Sequence, residues 1–266
     1  MNSLQDKTFE NVKTKGENEW KSLLLVIVFA FSIRIFVFEP FYVPTGSMKE
    51  TIREGDYIFS TKFSYGYSNY SFPWSPNLFE GRIFASSPQR GDIIIFRPPF
   101  DMNTRYIKRL IGIPGDKVQV INDVIYINDK PIERQDLGTF VGSKGEKYRR
   151  FKETLPGGAS YLAYKSEELA DYPMINKYST TPPFYVPSGK YFFMGDNRDN
   201  SRDSRADLGF VPFENFIAKG QFRFFSTEEP LFSPNGNLLD FVTRFGIWVK
   251  SIRFNRIFTS IYNYET

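Results

Sequence analysis

A chain of 266 residues that is 41% hydrophobic and 24% charged can bury one large core or two modest ones, and its composition is neither disordered nor collagenous. It has no cysteine and no histidine, which excludes disulfides, thiol nucleophiles and imidazole-assisted catalysis, and limits any metal to oxygen ligands, against zinc. The net charge of +4 is spread along the sequence, which suits an anionic membrane surface better than a nucleic-acid groove, and no RNP, zinc-finger or P-loop pattern occurs.

Residues 1–21 carry Lys7, Lys13, Lys15 and Lys21 and precede the run Ser22 to Phe38, SLLLVIVFAFSIRIFVF, whose only charge is Arg34. At about 1.5 Å per residue the run makes roughly 26 Å of helix, slightly short of the ~30 Å hydrocarbon core. Trp20 on one side and Phe41 and Tyr42 on the other suit the two membrane interfaces, and Arg34 lies near enough to the far end to snorkel. The expected element is a retained transmembrane anchor at 22–38. A cleaved signal peptide, with Ala30-Phe31-Ser32 as a loose cleavage site, is one alternative, although the apolar sequence continues past it. A buried core helix is the other. The preceding lysines keep the amino terminus cytoplasmic and send the rest of the chain across the membrane.

Beyond the anchor the pattern is mainly β. Asp56 to Ser60 and Gly91 to Phe96 are β-branched and aromatic runs opened by Gly-Asp. Lys117 to Ile121 and Val124 to Ile127 flank Asn122-Asp123, a hairpin signal. Tyr191 to Met194 and Gln221 to Phe225 complete the expected strands. Two stretches read as insertions: Phe63 to Pro88, rich in Tyr, Ser and Pro, and Pro131 to Gly189, polar and long enough for a small subdomain. The catalytic or binding core is therefore assigned to 39–130 and 190–230, with 131–189 as an inserted β-rich subdomain. The tail, 231–266, places Phe241, Phe245, Trp248 and Ile252 at helical spacing with Arg244, Lys250, Arg253 and Arg256 between them. This predicts either an interfacial amphipathic helix or an element packed on the body.

With imidazole and thiol absent, a serine nucleophile needs another base. Lys108 is the strongest candidate. On a strand Tyr106, Lys108 and Leu110 share one face, so apolar neighbours desolvate the amine and lower its pKa toward neutrality. The competing reading is a surface lysine beside Arg109. Ser47 lies in Pro44-Thr45-Gly46-Ser47-Met48, where Gly46 allows a tight approach and the Thr45 hydroxyl with the Ser47 N–H can form an oxyanion hole. The competing reading is an ordinary turn. In Gly195 to Arg205 the residues Asp199, Ser201 and Asp203 alternate as calcium ligands do, yet the glycine and terminal glutamate of an EF-hand loop are missing. A hydrogen-bonded clamp with Asp203 and Arg205 as partners fits better, and no metal is expected.

Taken together, Pro44 to Met48, Gly55-Asp56-Tyr57, Arg90-Gly91-Asp92, Tyr106 to Asp116 and Gly195 to Arg205 follow the order of motifs in bacterial type I signal (leader) peptidases, which this sequence resembles from Phe38 to Phe225, the two insertions apart. The resemblance implies a signal-peptidase-like β-sheet catalytic core behind one transmembrane helix, seated on the outer side of the bacterial inner membrane. It implies Ser47 as nucleophile, Lys108 as general base, Ser201 orienting the amine and Thr45 donating to the oxyanion. Gly195, Asn200, Asp203 and Arg205 would support the site, and Phe41, Val43 and Ile107 would wall pockets for small substrate side chains. The implied reaction is cleavage of signal-peptide-bearing preproteins after small residues, Ala-x-Ala-like, with no cofactor and with lipid but not nucleic acid as a further partner. The sequence departs from the family pattern at Thr45, where serine is more usual, and at Glu50, where proline is usual. Self-cleaving repressor-type Ser/Lys proteases would need a DNA-binding head. Penicillin-binding acyltransferases would need Ser-x-x-Lys, which is absent. A non-catalytic membrane-anchored binding or assembly module is the remaining alternative.

Overall fold

The computed structural model describes residues 2–142, 145–168, 178–229 and 238–262. A long helix, α1 (Asn2–Phe36), leads directly into strand β1 (Phe38–Tyr42). The following strands are β2 (Asp56–Thr61), β3 (Ile93–Phe96), β4 (Tyr106–Gly112), β5 (Lys117–Ile121), β6 (Val124–Ile127) and β7 (Lys130–Pro131). Then come β8 (Glu133–Val141), β9 (Lys147–Thr154), β10 (Ser160–Ser166), β11 (Phe184–Tyr185) and β12 (Lys190–Met194). The chain continues through β13 (Val211–Pro212), β14 (Phe216–Ser226), helix α2 (Leu238–Lys250) and β15 (Thr259–Ser260).

The apolar run expected at 22–38 is helical, but its boundaries differ from the expectation. Helix α1 begins far upstream and stops at Phe36, because Phe38 to Tyr42 instead pair with Thr61 to Tyr57. Among the described residues no helix is long and apolar enough to cross a membrane. Lys21 and Arg34 bracket the run and keep it short. Its side chains from Leu23 to Phe31 are nevertheless exposed on every face. The basic side chains Lys7, Lys13 and Lys15 lie outside the described residues.

The largest sheet is antiparallel and eight-stranded, ordered β1-β2-β14-β3-β4-β12-β13, with β15 on β14. Flat, β1 and β4 would stand about 19 Å apart at ~4.8 Å per strand. Instead Phe41 of β1 and Ile107 of β4 share one apolar cluster with Met48, Ile58, Ile95 and Ile217. The sheet must therefore curl. Strand β14 carries the curl: its pairings shift between Gly220 and Phe222 and again between Arg223 and Phe225, and such bulges bend and twist a strand.

The hairpin read at 117–127 forms as β5 and β6, with Asn122 and Asp123 both at positive φ as a two-residue turn of this hand requires. Asn128-Asp129 repeats the device to add β7. Strands β8, β9 and β10 make a separate three-stranded sheet. Among the described residues it shares its core with the rest: Leu155, Tyr161 and Ala163 pack with Ile111, Val118, Ile125, Phe192 and Met194. The stretch 131–189 thus buttresses the eight-stranded sheet through shared apolar contacts. Residues 143–144 and 169–177 of that stretch, and 230–237 and 263–266 of the tail, lie outside the described residues. In the tail, Trp248 stacks on Phe225 at 5.8 Å, so α2 packs on the body while Phe245 and Ile247 stay exposed. The side chain of Phe241 lies outside the described residues.

The buttress is also polar. Arg198 donates to both Glu153 oxygens at 3.0 and 2.5 Å, and the Tyr161 hydroxyl donates to Glu153 at 2.8 Å. All three groups are buried. Removing one partner of a buried pair strands the other charge. Glu153→Ala is therefore expected to cost about 3–5 kcal/mol in urea unfolding. The double change with Arg198→Met should recover most of that loss.

Candidate active site

Four residues, Val43 to Gly46, separate β1 from Ser47. Val43 N–H donates to Asp56 O and Gly55 N–H to Val43 O, so the chain leaves β1 along its partner and then turns through the short 3-10 segment Gly46–Met48. This turn faces β4, whose residues from Ile107 to Gly112 are all buried. Lys108 Nζ lies 2.5 Å from Ser47 Oγ and donates to the Ile107 carbonyl at 3.3 Å. The Tyr106 ring is 5.2 Å from the amine, so the two alternate residues of the strand share a face as their spacing predicts.

Burial lowers the Lys108 amine from its ordinary 10.5 to about 8, against the pull of Asp203 and Asp196, which favour the ammonium. The desolvation expected from its apolar neighbours is thus the dominant influence. A cleft of about 300 Å³ opens onto the pair, lined by Phe41, Pro44, Thr45, Tyr106, Ile107 and Asn200, with Arg105 and Arg202 at its border.

The segment after β12 holds the turn in place. Asn197 N–H donates to the Ser47 carbonyl at 3.2 Å, and its side-chain amide donates to the Gly46 carbonyl at 3.0 Å. Gly195 is required by space: a Cβ there would overlap Ser201 Oγ and the Ser47 carbonyl oxygen. Asp203 accepts from Gly195 N–H at 3.0 Å and from Arg205 at 3.0 and 2.8 Å. Burial works to raise the Asp203 carboxyl, but Arg205 and the Gly195 N–H outweigh it and hold it below the ordinary value. On the far face of β4, Arg109 makes a paired contact with Asp196 at 2.8 and 2.7 Å, both residues being 1% exposed.

The structure therefore brings together Ser47, Lys108, Thr45, Phe41, Ile107 and Asn200 around one cleft, with Gly195, Asp203 and Arg205 directly behind it. Two expected residues stand differently. Val43 is completely buried in the core with Met48 and Ile52 and lies behind the cleft wall. Ser201 Oγ is buried and makes no hydrogen bond to Lys108, although its hydroxyl is near enough to Asp203 to help hold that carboxyl ionised. Thr45 is exposed and its side chain bonds no backbone donor of the turn, which leaves the hydroxyl open to the cleft. Glu50 is buried and ion-paired with Arg53.

Sequence reasoning missed Asn197, the Arg109–Asp196 pair and the Arg198–Glu153 pair. It also missed the ion pair of Lys49 with Glu146, which ties the segment after Ser47 to the β8–β9 hairpin. The signal was present for two of these: Asp196 and Asn197 directly follow an apolar strand, where polar side chains are well placed to bond a neighbouring turn.

The chain is similar to known proteins along nearly its whole length. The family described as "Signal peptidase, peptidase S26" matches residues 18–225. A protein of Rickettsia massiliae named Signal peptidase I is 56% identical over 261 residues, covering 97% of this chain and 98% of that protein. Its counterpart from Rickettsia akari is 57% identical with the same coverage. A crystal structure of a signal peptidase I from Enterococcus faecalis is 28% identical and covers 50% of this chain and 97% of that one, with a TM-score of 0.31. The chain belongs to the signal peptidase family, peptidase S26.

The lowered amine carries a stability consequence. Below about pH 8 the folded state holds a buried ammonium, a cost that fades as pH rises toward the unfolded value of 10.5. Lys108→Met is expected to abolish turnover and to raise unfolding free energy at neutral pH by up to about 3 kcal/mol. The gain should shrink between pH 8 and 10.5, as followed by chemical denaturation in detergent.

Proposed function

We propose that this chain is a membrane-anchored serine endopeptidase that removes signal peptides from exported preproteins, using Ser47 and Lys108. The observation that carries the reading is the 2.5 Å contact between a buried, pKa-lowered amine and a serine hydroxyl at the floor of an open cleft. Neutral Lys108 takes the Ser47 proton as Oγ attacks the scissile carbonyl carbon. The Ser47 N–H and Thr45 hydroxyl stabilise the oxyanion. The Lys108 ammonium then gives its proton to the leaving amine as the C–N bond breaks. A water molecule, deprotonated by the same amine, attacks the acyl ester; as the ester C–O bond breaks, the Lys108 ammonium returns that proton to Ser47 Oγ and the signal peptide leaves with a new carboxyl group.

Phe41 and Ile107 narrow the cleft beside Ser47, which favours small side chains in the substrate at the positions just before the cut. Helix α1 exposes Leu23, Leu25, Phe29 and Phe31, and the helical part of the expected run 22–38, which ends at Phe36, is assigned as the bilayer anchor. The amino terminus is then cytoplasmic and the catalytic sheet lies on the outer side of the inner membrane. Anchoring confines enzyme and preprotein to one surface and raises their effective concentration. Lipid and signal-peptide-bearing preproteins are the partners, and nucleic acid is not.

Purified full chain and Ser47→Ala, incubated with a labelled preprotein in detergent, test this directly. The wild type is expected to cut once, after an Ala-x-Ala-like motif, and the variant not at all. Equal processing by both would remove Ser47 from the mechanism. The rate should rise with pH through an apparent pKa near 8, because the base acts only when unprotonated. A flat profile from pH 6 to 9 would count against Lys108 as the base.

A further inference from the structure

The stretch Phe63 to Pro88 takes no part in the cleft, yet it is built with care. Asn69 donates to the Phe79 carbonyl at 2.6 Å and accepts from Leu78 N–H at 3.0 Å. Arg82 donates to the Gly66 carbonyl at 2.6 Å, to the Phe213 carbonyl at 3.1 Å and to the Phe216 carbonyl. Tyr67 and Ile83 pair as a bridge.

On this scaffold two large aromatics stand in water. Trp74 is 97% exposed and Phe84 is 82% exposed, both with positive φ, at 59° and 52°. Bulky residues rarely adopt this backbone conformation and hold it only where surrounding bonds enforce it. Leu78 and Phe63 add exposed apolar surface, and Glu80 is the only exposed charge from Phe63 to Pro88. Four large apolar side chains exposed on one short, internally bonded segment suit contact with something other than water.

The same stretch grips the end of the apolar helix. The Tyr67 hydroxyl donates to the Phe36 carbonyl at 2.6 Å, and the Phe36 ring meets Tyr67 at 6.2 Å and Phe72 at 6.0 Å. The stretch that carries the exposed aromatics is thus fixed to α1 at the end of its apolar run. Tryptophan at such a boundary prefers the headgroup region of a bilayer.

We infer that Phe63 to Pro88 is a lipid-contacting collar, inserting Trp74 and Phe84 into the outer interface of the bilayer beside the anchor. The inference rests on the reading of 22–38 as a membrane anchor. It extends that reading by giving the catalytic body a second, fixed point of contact next to the helix. Contact at two points restrains rotation of the body about the helix axis, so the cleft keeps one orientation toward the membrane plane.

The test uses full-length chain with Trp20→Phe and Trp248→Phe, leaving Trp74 as the sole tryptophan, mixed with phosphatidylcholine vesicles brominated either near the headgroup or deep in the acyl chains. Flotation is scored in the same samples. The expected result is co-flotation, a blue shift of the Trp74 emission and loss of most of its intensity, strongest with shallow bromines. A second reporter, with Phe84→Trp added and Trp74→Phe replacing the first, is expected to respond in the same way. A chain that floats while either reporter emits as in water overturns the collar and leaves the anchor standing. A chain that does not float overturns both.

Discussion

The site depends on an amine that has been denied water. Two carboxylates, Asp196 and Asp203, lie near enough to Lys108 to favour its ammonium, and unopposed they would restore the proton that catalysis must do without. Each is matched to its own arginine, Asp196 to Arg109 and Asp203 to Arg205. The field of either carboxylate at the amine is thereby damped, and burial decides the balance. Such buried pairs contribute little net stability against apolar replacements. Their value here is that they let polar loops pack behind a neutral base without charging it.

The curled sheet supplies the rest. Ser47 comes from the edge beyond β1 and Lys108 from β4, and only the bend in β14 brings them into contact. The strands β8 to β10 then close the rear of the site through Glu153 and Tyr161, while Lys49 and Glu146 hold the segment after the nucleophile. Function is therefore distributed over elements far apart in sequence, joined by one apolar core and a few buried ion pairs.

Local patterns exposed much of this in the sequence. The β5–β6 hairpin followed from Asn122-Asp123, and the shared face of Tyr106 and Lys108 followed from strand alternation. The absence of histidine turned attention to lysine. What could not be read were long-range pairings: nothing local joins Arg198 to Glu153, or Asn197 to the Gly46 carbonyl. The resemblance implies Val43 as a pocket wall, whereas its side chain is wholly buried in the core with Met48 and Ile52. The helix boundary was missed because Phe38 satisfies an apolar run and a β-strand equally well, and pairing with Thr61 decided between them. Ser201 was assigned to the amine by analogy, and its hydroxyl lies nearer Asp203.

Neighbouring positions on β4 carry two cations with opposite fates. Lys108 faces Ser47 with its pKa lowered by burial, whereas Arg109 is held in a buried pair with Asp196. A slip of β4 by one residue against β3 would reverse their faces and present a guanidinium, which cannot act as a base, to Ser47. The pairings Ile94 with Lys108 and Ile93 with Arg109 forbid that slip, and the forked Arg109–Asp196 contact acts as a key that fits only one alignment. Correct threading of a single strand thus decides which cation meets Ser47, and the proposed chemistry depends on that alignment.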